Sequence, residues 1–275
     1  MRYTRVMMSG LVLSTTLLNA GWMDSITSGL NAIQEKPAVK PEAQSSTVST
    51  NTALSSTDMN GALKQALNNG VTYAIGTLGA KDGYLNNPLT KILLPEDMQK
   101  MADLVKKVGG EKYVDDLVLS LNDAATEAAP QTAKIFAKSI SDMSIDDAKK
   151  ILSGSDKAAT DYFRTTTTKD LQSTISPIVQ KSMDNNSVAK YYDSFAAFYK
   201  ENAGAIKNEY VSGAANMFGY AGLLPSDKDE NLTGYVTNKS IDGIMVMIEE
   251  KEKQIRTNPL SQNSDLIGKV FSVFQ

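Results

Sequence analysis

The sequence contains neither cysteine nor histidine, and these two absences exclude more chemistry than any motif supplies. Without cysteine there is no disulfide, no thiolate nucleophile and no N-terminal cysteine to carry a lipid. Without histidine no imidazole base works near neutral pH, so Ser-His-Asp and Cys-His mechanisms are excluded. Zinc sites draw almost wholly on these two residue types, and haem on a His or Cys axial ligand, so neither group is expected. Aromatic residues are scarce at 7%, which suits helices packed through small side chains. A basic excess is lacking as well, with 28 Lys and Arg against 31 Asp and Glu. Such a chain offers no electrostatic footprint to a phosphate backbone, and nucleic acid is not an expected partner. Carboxylate chemistry, a Ser-Lys arrangement, an oxygen-ligated cation or no chemistry at all remain.

The first residues read as an address. Arg2 and Arg5 precede an apolar run, Val6 to Leu13, which continues through hydroxyl residues to Leu17, Leu18 and the small Ala20. A basic start, a short apolar core and a small terminal residue make a secretory signal peptide. The run is shorter than the roughly 20 residues a membrane span needs, and Asn19 interrupts it. The expectation is therefore export to the periplasm, with cleavage near Ala20 and no stable transmembrane span afterwards. Removing residues 1–20, which hold two arginines and no acid, moves the formal charge from −3 to −5.

Residues 21–58 divide in two. Trp22, Ile26, Leu30 and Ile33 fall at helical spacing, an amphipathic segment for the domain, a partner or a membrane surface. It lacks the basic polar face of interfacial helices, which favours packing on the domain over a membrane. From Lys36 to Asp58 the chain is rich in Pro, Ser, Thr and Asn and reads as a flexible tether.

From Met59 to the end the apolar spacing is three and four almost throughout, and strand alternation is nearly absent. Leu63, Leu67, Val71, Ile75 and Leu78 form one stripe, closed by Gly79. Pro95 and Glu96 open a second helix, which Gly109 and Gly110 end. A third carries Val114, Leu117, Leu121 and Ala125, and Pro130 opens a short one with Phe136 and Ile140. Ser144 with Asp147 reads as a capping box for the next. Pro177 falls inside a further helical pattern, where a kink or break is expected. Tyr191, Phe195 and Phe198 belong to an aromatic stripe, Leu232 to Arg256 is a long late helix, and Ser264 caps a final one. The prediction is an all-α fold: an irregular bundle of about ten helices in a single globular domain over residues 59–275.

Several runs are more distinctive than periodicity. They are Lys81-Asp82-Gly83-Tyr84-Leu85-Asn86-Asn87-Pro88, Ile92 to Pro95, Asp115 to Leu119, Ala158 to Thr166, Tyr235 to Thr237, Lys239 with Ile241 to Ile244, and Ile255, Arg256, Asn258 and Pro259. In this order they resemble the bacterial family catalogued as domain of unknown function 4197, over nearly all of the chain from about Met59 to Phe271. The resemblance implies an exported helical domain and supplies no mechanism. The stretch from Ala196 to Ala221 is longer than the family pattern.

The Lys81–Pro88 loop is the leading place for a site, because polar loop residues on a rigid scaffold commonly carry function. Asp82, Tyr84, Asn86 and Asn87 are its candidate ligand-binding residues, although Asp82 and Asn87 serve equally well as caps for neighbouring helix ends. Arg164 is the fifth candidate, since its planar fork suits a carboxylate or phosphate. An i,i+3 ion pair with Asp161 is its structural reading. Glu249, Glu250 and Glu252 alternate with Lys251 and Lys253 and read as a solvated face, with Glu249–Lys253 and Glu252–Arg256 as i,i+4 pairs. Asp227, Asp229 and Asn231 start like a calcium loop, but Leu232 and Asn238 break the pattern. Ser153 to Lys157 lacks Ser-x-x-Lys spacing, and no phosphate or dinucleotide loop occurs.

No catalytic residue, metal or cofactor is expected. The sequence points to a non-enzymatic envelope module that binds a small apolar ligand or another envelope protein. The alternatives are a carboxylate-dependent envelope hydrolase acting, for example, on glycans, and a purely structural or assembly protein. The hydrolase needs two acids facing one cleft at about 5–9.5 Å.

Overall fold

The computed structural model describes residues 54–185, 188–202, 232–262 and 264–274. The leader, the Trp22–Ile33 segment, most of the tether, the chain between Ala203 and Asn231, and with it Asp227, Asp229 and Asn231, lie outside the described residues. Within them the fold is all-α. Its helices are α1 (Ser56–Leu78), α2 (Glu96–Lys107), α3 (Glu111–Ala128), α4 (Ala133–Asp142), α5 (Ile145–Leu152), α6 (Ala158–Asn185), α7 (Val188–Glu201), α8 (Leu232–Thr257) and α9 (Asp265–Val273). Short 3-10 turns, Ala129–Thr132 and Pro259–Ser261, lead into α4 and follow α8. Nine α-helices stand among the described residues, close to the expected ten.

Helix α8 is the centre. It packs mainly on α6 and α1, with α3 on a further side. Val236, Ile241, Ile244, Met245, Met247 and Ile248 are all buried. A wide apolar face of this kind packs into a core, while Lys239, Asp242 and Lys253 keep the remaining face of α8 exposed. Helices α4 and α5 lie against α1, while α2 and α7 pack on α3. Phe136 and Phe163 meet edge-to-face at 5.1 Å between α4 and α6, a favoured aromatic geometry.

Local chemistry sets the ends of these elements. Helix α1 begins inside the stretch expected as tether: Ser55 Oγ accepts from Asp58 N at 3.0 Å, and Ser55 N donates to the Asp58 carboxylate at 3.3 Å. The Ser144–Asp147 box has the same reciprocal bonds, at 3.1 and 3.2 Å. Ser264 Oγ accepts from Ile267 N at the start of α9. Of the kink or break expected at Pro177, the break does not occur, since α6 runs from Ala158 to Asn185 with Pro177 inside it. Pro177 is exposed, so the carbonyl left without its amide partner lies on the solvent side, where it costs least.

Candidate functional site

The loop between α1 and α2 carries four of the five expected site residues, and it places them differently from one another. Asp82 has φ of 59°, a left-handed position that Asp adopts more readily than most residues. The following Gly83 lies so close to the end of α1 that a Cβ would stand 2.4 Å from the Thr77 carbonyl oxygen and 2.5 Å from that of Leu78. The turn thus presses its backbone onto the last carbonyls of α1. Tyr84 is fully buried, and its hydroxyl donates to the Ser240 carbonyl of α8 at 2.7 Å. Burial pushes that hydroxyl well above the ordinary tyrosine range. Asn87 Oδ1 accepts from Leu89 N at 3.0 Å, and its amide lies 3.2 Å from Met247 Sδ. Asn86 is exposed.

Beyond Asn87 the chain becomes the wall of a cleft. Residues 91–95 have neither helix nor turn, and Lys91 and Leu93 are exposed while Ile92 and Leu94 are buried. This two-residue alternation marks an extended segment. One edge is held by a single side chain: Asn122 of α3 accepts from Ile92 N at 2.8 Å and donates to Ile92 O at 2.8 Å. On the other side lies an open cleft of about 800 Å³ between this segment, α6 and α8, with Arg164, Tyr235, Lys239 and Asp242 among its lining residues. The Tyr235 hydroxyl donates to Leu93 O at 3.0 Å, and Lys239 Nζ stands 5.8 Å from the Tyr235 ring centroid. Burial raises the Tyr235 hydroxyl above its usual range, so it is a neutral donor at physiological pH.

Arg164 is the one expected site residue on this cleft. Its partner corrects the expectation of a pair with Asp161: Arg164 Nη1 reaches Asp242 Oδ1 on α8 at 3.1 Å. Asp82, Tyr84, Asn86 and Asn87 are not among the lining residues and do not converge with it. Leu89, Leu93, Tyr235 and Lys239 also line the cleft, and each lies in or directly beside one of the distinctive runs. Carboxylates on the cleft are Glu96 and Asp242, and Asp242 is already engaged by Arg164.

The second polar centre is structural. Glu252 is 7% exposed and its expected i,i+4 partner Arg256 11%, which takes Glu252 out of the solvated face, while Lys253 is exposed and Glu249 and Glu250 half-buried. The Glu252 carboxylate accepts from Ala159 N at 2.9 Å, Thr160 N at 3.0 Å and Thr160 Oγ1 at 3.0 Å. Arg256 donates to it through Nε at 3.1 Å and Nη2 at 2.9 Å, while Nη2 also reaches Ile151 O at 2.8 Å. Glu252 therefore caps the start of α6 and Arg256 the end of α5, each with the charge its helix dipole favours. The void beside them is apolar and about 20 Å³, room for little more than a water. The Glu249–Lys253 pair is absent among the described residues, where no group of three or more acids gathers as a metal site.

These features define an all-α domain organised around one central helix, with a charged and apolar cleft on its flank. The chain belongs to the family described as protein of unknown function (DUF4197), whose model matches residues 53–272. No curated protein and no solved structure matches it.

Proposed function

We propose that the chain is exported to the periplasm behind a cleaved leader and acts there as a non-enzymatic binding module, with the cleft beside residues 89–96 as its binding surface. The Arg2, Arg5 and Val6–Leu18 pattern supports export. One observation carries the binding reading: Leu89 and Leu93, 60% and 54% exposed, stand on the rim of the cleft beside Arg164 and Lys239. Large apolar side chains grouped next to fixed polar ones are the usual make-up of a binding surface. Among the described residues no helix is long and apolar enough to cross a membrane.

Export is tested by the mass of the protein recovered from periplasmic extract. A chain lacking residues 1–20 agrees with the proposal, and an intact chain confined to the cytosol contradicts it. Binding is tested by thermal shift against lipids, metabolites and peptides. At a hundredfold excess over Kd a true ligand adds about 2.7 kcal/mol, which raises Tm by about 5–10 °C in a domain of this size. The Leu89→Ser/Leu93→Ser double variant is expected to lose that shift. Equal shifts in both proteins would place binding elsewhere.

A further inference from the structure

We propose that the occupant of this cleft is an extended peptide segment bearing acidic residues, added as a strand through the two backbone groups, Lys91 C=O and Leu93 N–H, that the Lys91–Leu94 edge leaves open. The inference rests on the cleft being the binding surface and specifies its ligand. In an extended chain the N–H and C=O of successive residues point to opposite edges. Both backbone groups of Ile92 are used by Asn122, which is not a lining residue of the cleft. The groups of Lys91 and Leu93 therefore belong to the other edge, where two are taken, Lys91 N–H by Asn87 O at 2.9 Å and Leu93 O by the Tyr235 hydroxyl at 3.0 Å. Among the described residues Leu93 N–H and the Lys91 carbonyl have no hydrogen-bond partner.

These two groups flank Ile92 on one edge, the arrangement that a single residue of a parallel strand bridges, its N–H to Lys91 O and its C=O from Leu93 N–H. Pro95 on one side and the Asn87–Thr90 turn on the other limit the edge to one short strand. Charge favours an acidic guest: with Arg164 and Asp242 paired to each other, Lys91 and Lys239 face the single carboxylate of Glu96 on the cleft. Lys91 has no ion-pair partner among the described residues, and Lys239 projects across the Tyr235 ring. The exposed Leu93 side chain offers the apolar contact that gives such a strand its register.

The test uses the purified protein and three pools of fluorescein-labelled, proline-free random decapeptides, one enriched in Asp and Glu, one neutral and one enriched in Lys. A fourth pool repeats the acidic set with every backbone amide N-methylated. Anisotropy is expected to rise with the acidic pool, fall away with the Lys pool and vanish on methylation, while exchange of the Leu93 amide slows. The surface variant Lys91→Glu/Lys239→Glu should fold normally, by its melting curve, and bind the acidic pool about tenfold more weakly. Equal binding of methylated and unmethylated pools, or no binding by any pool, overturns the strand inference. If phosphatidylglycerol vesicles or metabolites still give a thermal shift that Leu89→Ser/Leu93→Ser abolishes, the cleft remains the binding surface and only its guest is misassigned.

Discussion

At the scale of single residues, Glu252 ties α8 to the start of α6 and, through Arg256, to the end of α5. Removing one member of a buried pair leaves the other charge unpaired, at a cost of about 3–5 kcal/mol. Glu252→Ala is thus expected to lower chemical-denaturation stability by that amount. Glu252→Gln keeps an acceptor for the α6 amides and should lose only part of it. Tyr84 gives a second test. Its hydroxyl is neutral in the fold and titrates above its unfolded value, so its contribution is complete below about pH 10 and is lost as pH rises further. Tyr84→Phe should cost about 1 kcal/mol at neutral pH and flatten the alkaline fall in stability. Gly243 sits against the same ring, where a Cβ would lie 2.6 Å from Tyr84 Cε1. Gly243→Ala is expected to destabilise by about 1–2 kcal/mol through overpacking, although alanine is the better helix former.

At the scale of elements, the helices themselves were open to reading because their signals are local. The Ser144–Asp147 box, the Gly79 stop and the Ser264 cap each involve residues within a turn of one another. In α5, Ser144→Ala should cost about 1 kcal/mol at neutral pH. The hydrogen bond from Ser144 holds the Asp147 carboxyl below its usual range. Its contribution is therefore present above the ordinary Asp pKa and is lost as pH falls through the lowered value. Wild type and Asp147→Asn should accordingly converge in stability in acid, measured by urea unfolding across pH. Contacts distant in sequence were less legible. Glu252 was grouped with Glu249 and Glu250 by proximity, yet its helical phase places it with Ile241, Met245, Ile248 and Ile255 on the buried stripe. The phase was the available signal, while its partners on α6 lie 92 and 93 positions away. The Arg164–Asp242 pair, 78 apart, escaped for the same reason. The extended Lys91–Leu94 segment was unforeseen because four residues of alternation are too few to stand out among helical periods.

At the scale of the whole molecule, the class followed from apolar stripes of period 3.6 and from missing strand patterns, and the structure is all-α. Of the proposed cleft, only part was legible. Arg164 and the neighbourhood of the α1–α2 loop were selected, but within that loop the polar residues attract attention while Leu89 and Leu93 form the rim. Tyr84, a candidate ligand residue by sequence, is instead where the loop is anchored to α8. The proposed binding surface is the cleft between this loop, α6 and α8. Hydrogen exchange with and without the ligand that gives the largest thermal shift tests that claim most directly. Protection confined to residues 89–96 and 235–246 is the result predicted. Unchanged exchange there, with protection around Leu260 and Phe274 on the exposed C-terminal surface, would contradict it.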